Sequence, residues 1–197
     1  IRGGLTFQGL AELTELTVPV TQLQHLELKD NAQLSKISSA ALTHIADFVV
    51  VEALPSLELL SLSSLQSISD DLFIRDLEAL TKADLPKITT ISGNVRLENA
   101  PLLAELNIGQ LEVVHGDFIF STLRSLTDIE LSQLELIIGE LRLSGMDALV
   151  SARFDKLDRA LALNLQYNMM LDDVQFPMLT TIPADIQLIS NTELLQL

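Results

Sequence analysis

Two periods are superimposed in the apolar and polar pattern of this chain. The short one is two: "GNVRLEN" (93–99), "GDFIFST" (116–122) and "GELRLSG" (139–145) place an apolar residue at every second position. Such alternation predicts short β-strands with one buried face. The long period is close to 23. With Ile1, Gln22, Ile45, Ile68, Ile91, Val114, Ile137, Arg159 and Ile182 as starts, the steps are 21, 23, 23, 23, 23, 23, 22 and 23 residues. Four past each start stand Leu5, Leu26, Val49, Leu72, Val95, Phe118, Leu141, Leu163 and Ile186. Six past, the residues are again apolar, from Phe7 and Leu28 to Leu165 and Leu188. Twelve past, every lap carries leucine: Leu13, Leu34, Leu57, Leu80, Leu103, Leu126, Leu149, Leu171 and Leu194.

A second strand is expected around Leu106–Ile108 and Ile129–Leu131, and a third from Leu111, Leu134 or Leu157 towards the next start. Prolines mark the corners between them, because proline interrupts a hydrogen-bonded ladder. Pro19, Pro86 and Pro177 share one lap position, and Pro55 and Pro101 another. Gly3, Gly93, Gly116 and Gly139 share a third position just before the first strand, where a tight turn with positive φ is expected. Three strands and three corners per lap predict an all-β, right-handed parallel β-helix. It has about nine coils stacked roughly 4.8 Å apart. Residues 1–197 form a single domain, expected to be a fragment lacking one or both caps. Gln22 and Arg159 interrupt the ladder of starts directly after the two short steps. A local deletion in the third strand, with Leu23 or Ala160 sharing the vacated place, accounts for both.

The alternative is a leucine-rich repeat. "LQHLELKDN" (23–31) fits the opening of that repeat, but the next leucine comes one residue late in every lap. The asparagine such a repeat needs at its turn is present only at Asn31, Asn168 and Asn191. A helix on the outer side of each lap would decide for this alternative.

Composition narrows the function classes. The 27 acidic and 12 basic residues give a net charge of −15, which repels nucleic acid and anionic membrane surfaces. No run of apolar residues approaches the roughly 18 needed to cross a membrane as a helix. Without cysteine, neither a disulfide framework nor a thiolate metal site is available. Aromatic residues make up 4 % and Trp is absent, which disfavours a sugar site built on stacking.

The phrases "LPKITTISGNVRLENAPLL" (85–103), "IGQLEVVHGDFIFSTLRSL" (108–126) and "FPMLTTIPADIQLISNTELLQL" (176–197) resemble the receptor L-domain family. The nearest likeness is to its fungal GPI-anchored cell-wall organisation proteins. Phe176, Pro177, Leu179, Thr180, Ile182, Asp185 and Ile186 match their phrasing, as do Leu85, Pro86, Ile88, Thr89, Ile91, Gly93 and Val95. The resemblance implies an extracellular, cell-surface or cell-wall address. Membrane attachment would come only through a lipid anchor outside this segment. It also implies a non-enzymatic role in binding a protein or cell-wall component.

Candidate chemistry is sparse. His25, His44 and His115 occupy unrelated lap positions, so no pair of them is expected to act together. Asp71, Asn94, Asp117, Glu140 and Asp185 share one position; such a column could hold a hard cation, but Asp and Asn before a strand more simply bond nearby backbone. Asp70–Asp71 and Asp172–Asp173 fall at different positions with no basic cluster beside them, so a β-helical polysaccharide lyase or hydrolase is the least favoured reading. No catalytic set, metal site or cofactor is expected. On the outward side of the first strand, Lys29, Glu52, Arg75 and Glu98 alternate in sign, and beside them stand Val50, Phe73, Arg96, Ile119 and Arg142. This mixed apolar and basic strip, with Val50 and Phe73 exposed, is the candidate face for a protein partner. The open last coil, with Leu188 and Leu194, offers self-association or a spacer role as the structural alternative.

Overall fold

The computed structural model describes residues 3–194, and among these there is no helix. Every named strand pairing is parallel, each strand with its equivalent one lap away. The first face is an unbroken nine-stranded sheet running from Leu5–Gln8 to Ile186–Ile189. The second face is divided into a five-stranded sheet ending at Glu105–Asn107 and a three-stranded sheet starting at Asp128–Glu130. Two-residue strands build the third face, from Gln22–Leu23 to Leu136–Ile137, and single bridges at Arg159 and Thr181 extend it. The chain therefore makes eight full turns and a ninth first strand. With no outer helix on any lap, the leucine-rich-repeat alternative is excluded.

The inward ladders form one continuous core. Leu57, Leu80 and Leu103 are fully buried and Leu126 is 3 % exposed, one above another as the period required. Each aliphatic side chain so buried stabilises the fold by about 1.5–3 kcal/mol. Because a coil touches only its neighbours, these contributions add along the rod.

The corners differ from expectation in two respects. Positive φ lies not at the corner holding Gly93, Gly116 and Gly139 but at the one after the first strand. There Gly9, Asp30, Ala53, Asp76, Asn99, Thr122, Gly145, Tyr167 and Ser190 all have φ between 54° and 66°. Gly93, Gly116 and Gly139 are required by crowding instead. A Cβ on Gly116 would lie 2.7 Å from the carbonyl carbon of Gly93 and 2.8 Å from the nitrogen of Asn94, with the same crowding at the other two. Gly3, in the first coil, has nothing within 4 Å of a notional Cβ.

The shortened laps are also placed differently. Leu23 stacks on Ile45 and is 3 % exposed, and Ala160 is 1 % exposed, so these two fill the inward place as expected. The deletion, however, sits in the corner after the third strand. Only Gln24 and His25 separate Leu23 from Leu26, and only Leu161 and Ala162 separate Ala160 from Leu163, where three residues serve elsewhere. The 21-residue lap loses its other residue at the Pro19 corner, where buried Ser39 of the next coil donates to Val18 O at 2.6 Å and accepts from Leu42 N at 3.1 Å.

Candidate interaction face

The parallel register carries each outward side chain onto its equivalent. One column on the first face reads Thr6, Glu27, Val50, Phe73, Arg96, Ile119, Arg142, Asn164, Gln187. The five predicted face residues are therefore contiguous. Their exposure is not what the sequence suggested: Val50 is only 8 % and Ile119 5 % exposed. Ile119 lies between Arg96 and Arg142 in the column, and Val50 beside a chain of charged side chains. Lys29 reaches both Glu27 (2.9 Å) and Glu52 (3.6 Å), and Arg75 binds Glu52 at 2.9 Å, so these side chains run along the sheet beside Val50. Half-buried Phe73 is flanked by two guanidinium groups, Arg75 at 5.9 Å and Arg96 at 5.8 Å from the ring centroid. Both are within cation–π range. Arg142 holds Glu140 through two bonds, of 3.2 and 2.8 Å.

The alternation in sign of Lys29, Glu52, Arg75 and Glu98 becomes ion pairing only in part. Lys29–Glu52–Arg75 forms a chain, but Arg75 turns to Phe73 and makes no ion pair with Glu98. The Lys29 ammonium holds the Glu27 carboxyl below its ordinary range, and Glu27 in turn raises Lys29. The three buried side-chain polar atoms without a partner among the described residues, Arg75 Nε, Arg96 Nε and Asn164 Oδ1, are all on this face. Asn164 was missed by sequence reasoning, although following the column two laps past Ile119 leads to it.

Comparison of the chain with protein-family models, curated proteins and solved structures finds no match.

The acidic column is engaged in holding coils together. Asp71 Oδ1 accepts from Asn94 N and Nδ2 (2.6 and 2.8 Å), Asn94 Oδ1 from Asp117 N (2.9 Å), and Asp117 Oδ1 from Glu140 N (3.0 Å). Each side chain caps the backbone of the next lap, not of its own turn. At the shortened corner Ala162 stands in this column and the relay stops, which frees the Glu140 carboxylate for Arg142. His25 occupies the same column lower down, stacked on Phe48 at 5.1 Å and bonded to Thr6 Oγ1 at 3.1 Å. His44 bonds Ser67 on the third face and His115 is exposed at a corner, so the three histidines stay apart. Asn31 and Asn168 are fully buried and bridge to the lap before: Asn168 accepts from Met146 N at 3.1 Å and donates to Leu143 O at 3.0 Å.

Proposed function

We propose that this chain is a non-enzymatic module of an extracellular cell-surface or cell-wall protein of the receptor L-domain type. It presents its nine-stranded face to a protein partner, and less favourably to a glycan. The observation that carries this reading is the unbroken sheet on which Arg75 and Arg96 bracket Phe73, a basic and aromatic spot on a rod of net charge −15. Aromatic residues and arginine are the side chains enriched at protein interfaces. A ladder-bonded sheet is also rigid, so little ordering entropy is lost on docking. The non-enzymatic reading is supported by Asp71, Asp117 and His25, each of which spends a polar atom on a bond to the neighbouring coil.

Binding of the fluorescently labelled chain to isolated cell-wall and surface-protein fractions tests the reading. Charging Val50 would damage packing, so the face variant is Phe73→Ser with Arg96→Glu, and Lys82→Glu on the second face is the control. Loss of binding in the first and retention in the second is expected. Equal binding by both overturns the choice of face.

A second reading, end-to-end assembly or a spacer role, is favoured by the last coil. Ile186 is 53 % and Leu188 43 % exposed, around a depression of about 400 Å³ lined by Leu163, Phe176, Leu179 and Ile182. Sedimentation that shows a monomer at all concentrations excludes assembly.

A further inference from the structure

The division of the second face falls at one lap boundary. Between the fifth and sixth coils the first face is paired, Val95 to Phe118, and so is the third, Val113 to Leu136. Only the second face is open, between Glu105–Asn107 and Asp128–Glu130. The corner bonds around it show the same interruption. Ala104 N donates to Thr81 O at 3.1 Å and Val150 N to Thr127 O at 2.7 Å, but no bond runs from Thr127 N to Ala104 O. Leu85 N donates to Asn107 O at 2.8 Å and Leu131 N to Arg153 O at 2.9 Å, with no counterpart from Ile108 N to Glu130 O. The opening is closed at both ends, by Ser125 Oγ donating to Pro101 O and by Glu135 N donating to Glu112 O. It forms a slot of about 340 Å³ lined by Asp84, Glu105, Asn107, Thr127 and Asp128. That is room for on the order of ten waters.

The core explains why the opening is here. The sixth coil alone carries phenylalanine at both inward positions of its first strand, and Phe118 and Phe120 are fully buried with ring centroids 4.4 Å apart. On the second face the inward column reads Ala83, Leu106, Ile129, Ala152. The two phenylalanines of the first wall thus share a level with Ile129 of the second. The coils holding the equally large Ile37 and Leu60 carry only leucine or valine inward on their first strands and stay paired. An overfilled core is relieved by backbone displacement. The first and third faces are tied, so the second face takes it up.

We propose that Phe118 and Phe120 prop the second face open between the fifth and sixth coils, making a hydrated joint at which the two stacks of the rod tilt. The charged side chains on each lip bond within their own stack and leave the slot free to move. Lys82 pairs with Glu105 at 2.8 Å on one side, and Ser151 donates to Asp128 at 2.7 Å on the other. The unpaired backbone groups are satisfied by water in the slot.

Because the chain has no cysteine, spin labels can be placed cleanly at Ser61→Cys with Arg153→Cys across the slot, and at Glu52→Cys with Ser144→Cys on the first face. Pulsed dipolar spectroscopy is expected to give a broader distance distribution for the first pair. The double variant Phe118→Leu, Phe120→Leu should narrow it. Amide exchange supplies the second measurement: Thr127 and Ile108 should exchange at least ~10-fold faster than Val150 and Leu85, and the leucine variant should remove the difference. If that variant does not fold, Ile129→Ala relieves the opposite wall and should act alike. Equal protection of these amides in the unmodified chain overturns the joint. Exchange unchanged in the folded leucine or alanine variant overturns its cause.

Discussion

At the scale of single residues, the corner after the first strand stores avoidable strain. A β-branched residue with positive φ is disfavoured, and Thr122 sits at φ 56°. Thr122→Gly should stabilise the fold by about 1 kcal/mol, the left-handed penalty less the cost of ordering glycine, read from urea unfolding. Gly116→Ala should destabilise by about 1–3 kcal/mol, because its Cβ meets backbone within 3 Å on two atoms. Gly3→Ala, with open space, serves as the neutral control. Neither effect follows from the shared lap position of the glycines, since a period records where a residue recurs and not whether conformation or crowding requires it.

Asp70 carries a pH signature. Partial desolvation of its carboxyl, followed by the nearby Asp71 and Asp47 carboxylates, raises its pKa above the ordinary value. The folded state then holds the proton more tightly than the unfolded chain, so this group's contribution falls as pH rises from the unfolded value, near 4, through the folded one. Asp70→Asn should therefore raise the melting temperature at neutral pH, and the gain should vanish below about pH 4. Its side chain is exposed, so the effect should stay under about 1 kcal/mol. A gain of equal size at low pH would refute the electrostatic cause.

At the scale of elements, side chains reinforce the pairing of one coil with the next. Asn168 supplies a carbonyl to Met146 N where other laps use backbone, as when Leu77 N donates to Asn99 O at 3.1 Å. Asn168→Ala should leave the buried Met146 N without a partner and remove the second of two donors from Leu143 O, at a cost of about 1–3 kcal/mol in chemical unfolding. A loss below 0.5 kcal/mol, an order-of-magnitude limit set by the net worth of one bond, would mean that water replaces the amide. The acid relay from Asp71 to Glu140 is a similar fastener, and here the simpler expectation of local backbone bonding was nearly right. It missed only that the bonded backbone belongs to the next lap, which becomes a neighbour only when the chain winds.

At the scale of the whole molecule, stability is a sum over neighbouring coils opposed by self-repulsion of a net charge of −15. Raising sodium chloride from about 0.05 to 0.5 M shortens the screening length several-fold and should raise the melting temperature. A fall would show that the ion pairs around Glu52 outweigh the repulsion. The joint beside Phe118 and Phe120 adds that the rod is not uniform: a single pair of large side chains in one lap sets where the stack is weakest.

The period and the alternation by themselves determined the solenoid, its number of coils, the inward ladders and the contiguity of the outward strip. Each of these is a one-dimensional property, since equal laps place like positions above one another whatever the side chains do next. Only the tertiary structure decided that Val50 and Ile119 are covered, that the shortened corner interrupts the acid relay at Ala162, and that the second face parts at Asp128. Those outcomes depend on the reach of side chains one lap away and on volumes summed across three walls. No single strand of the sequence contains that sum.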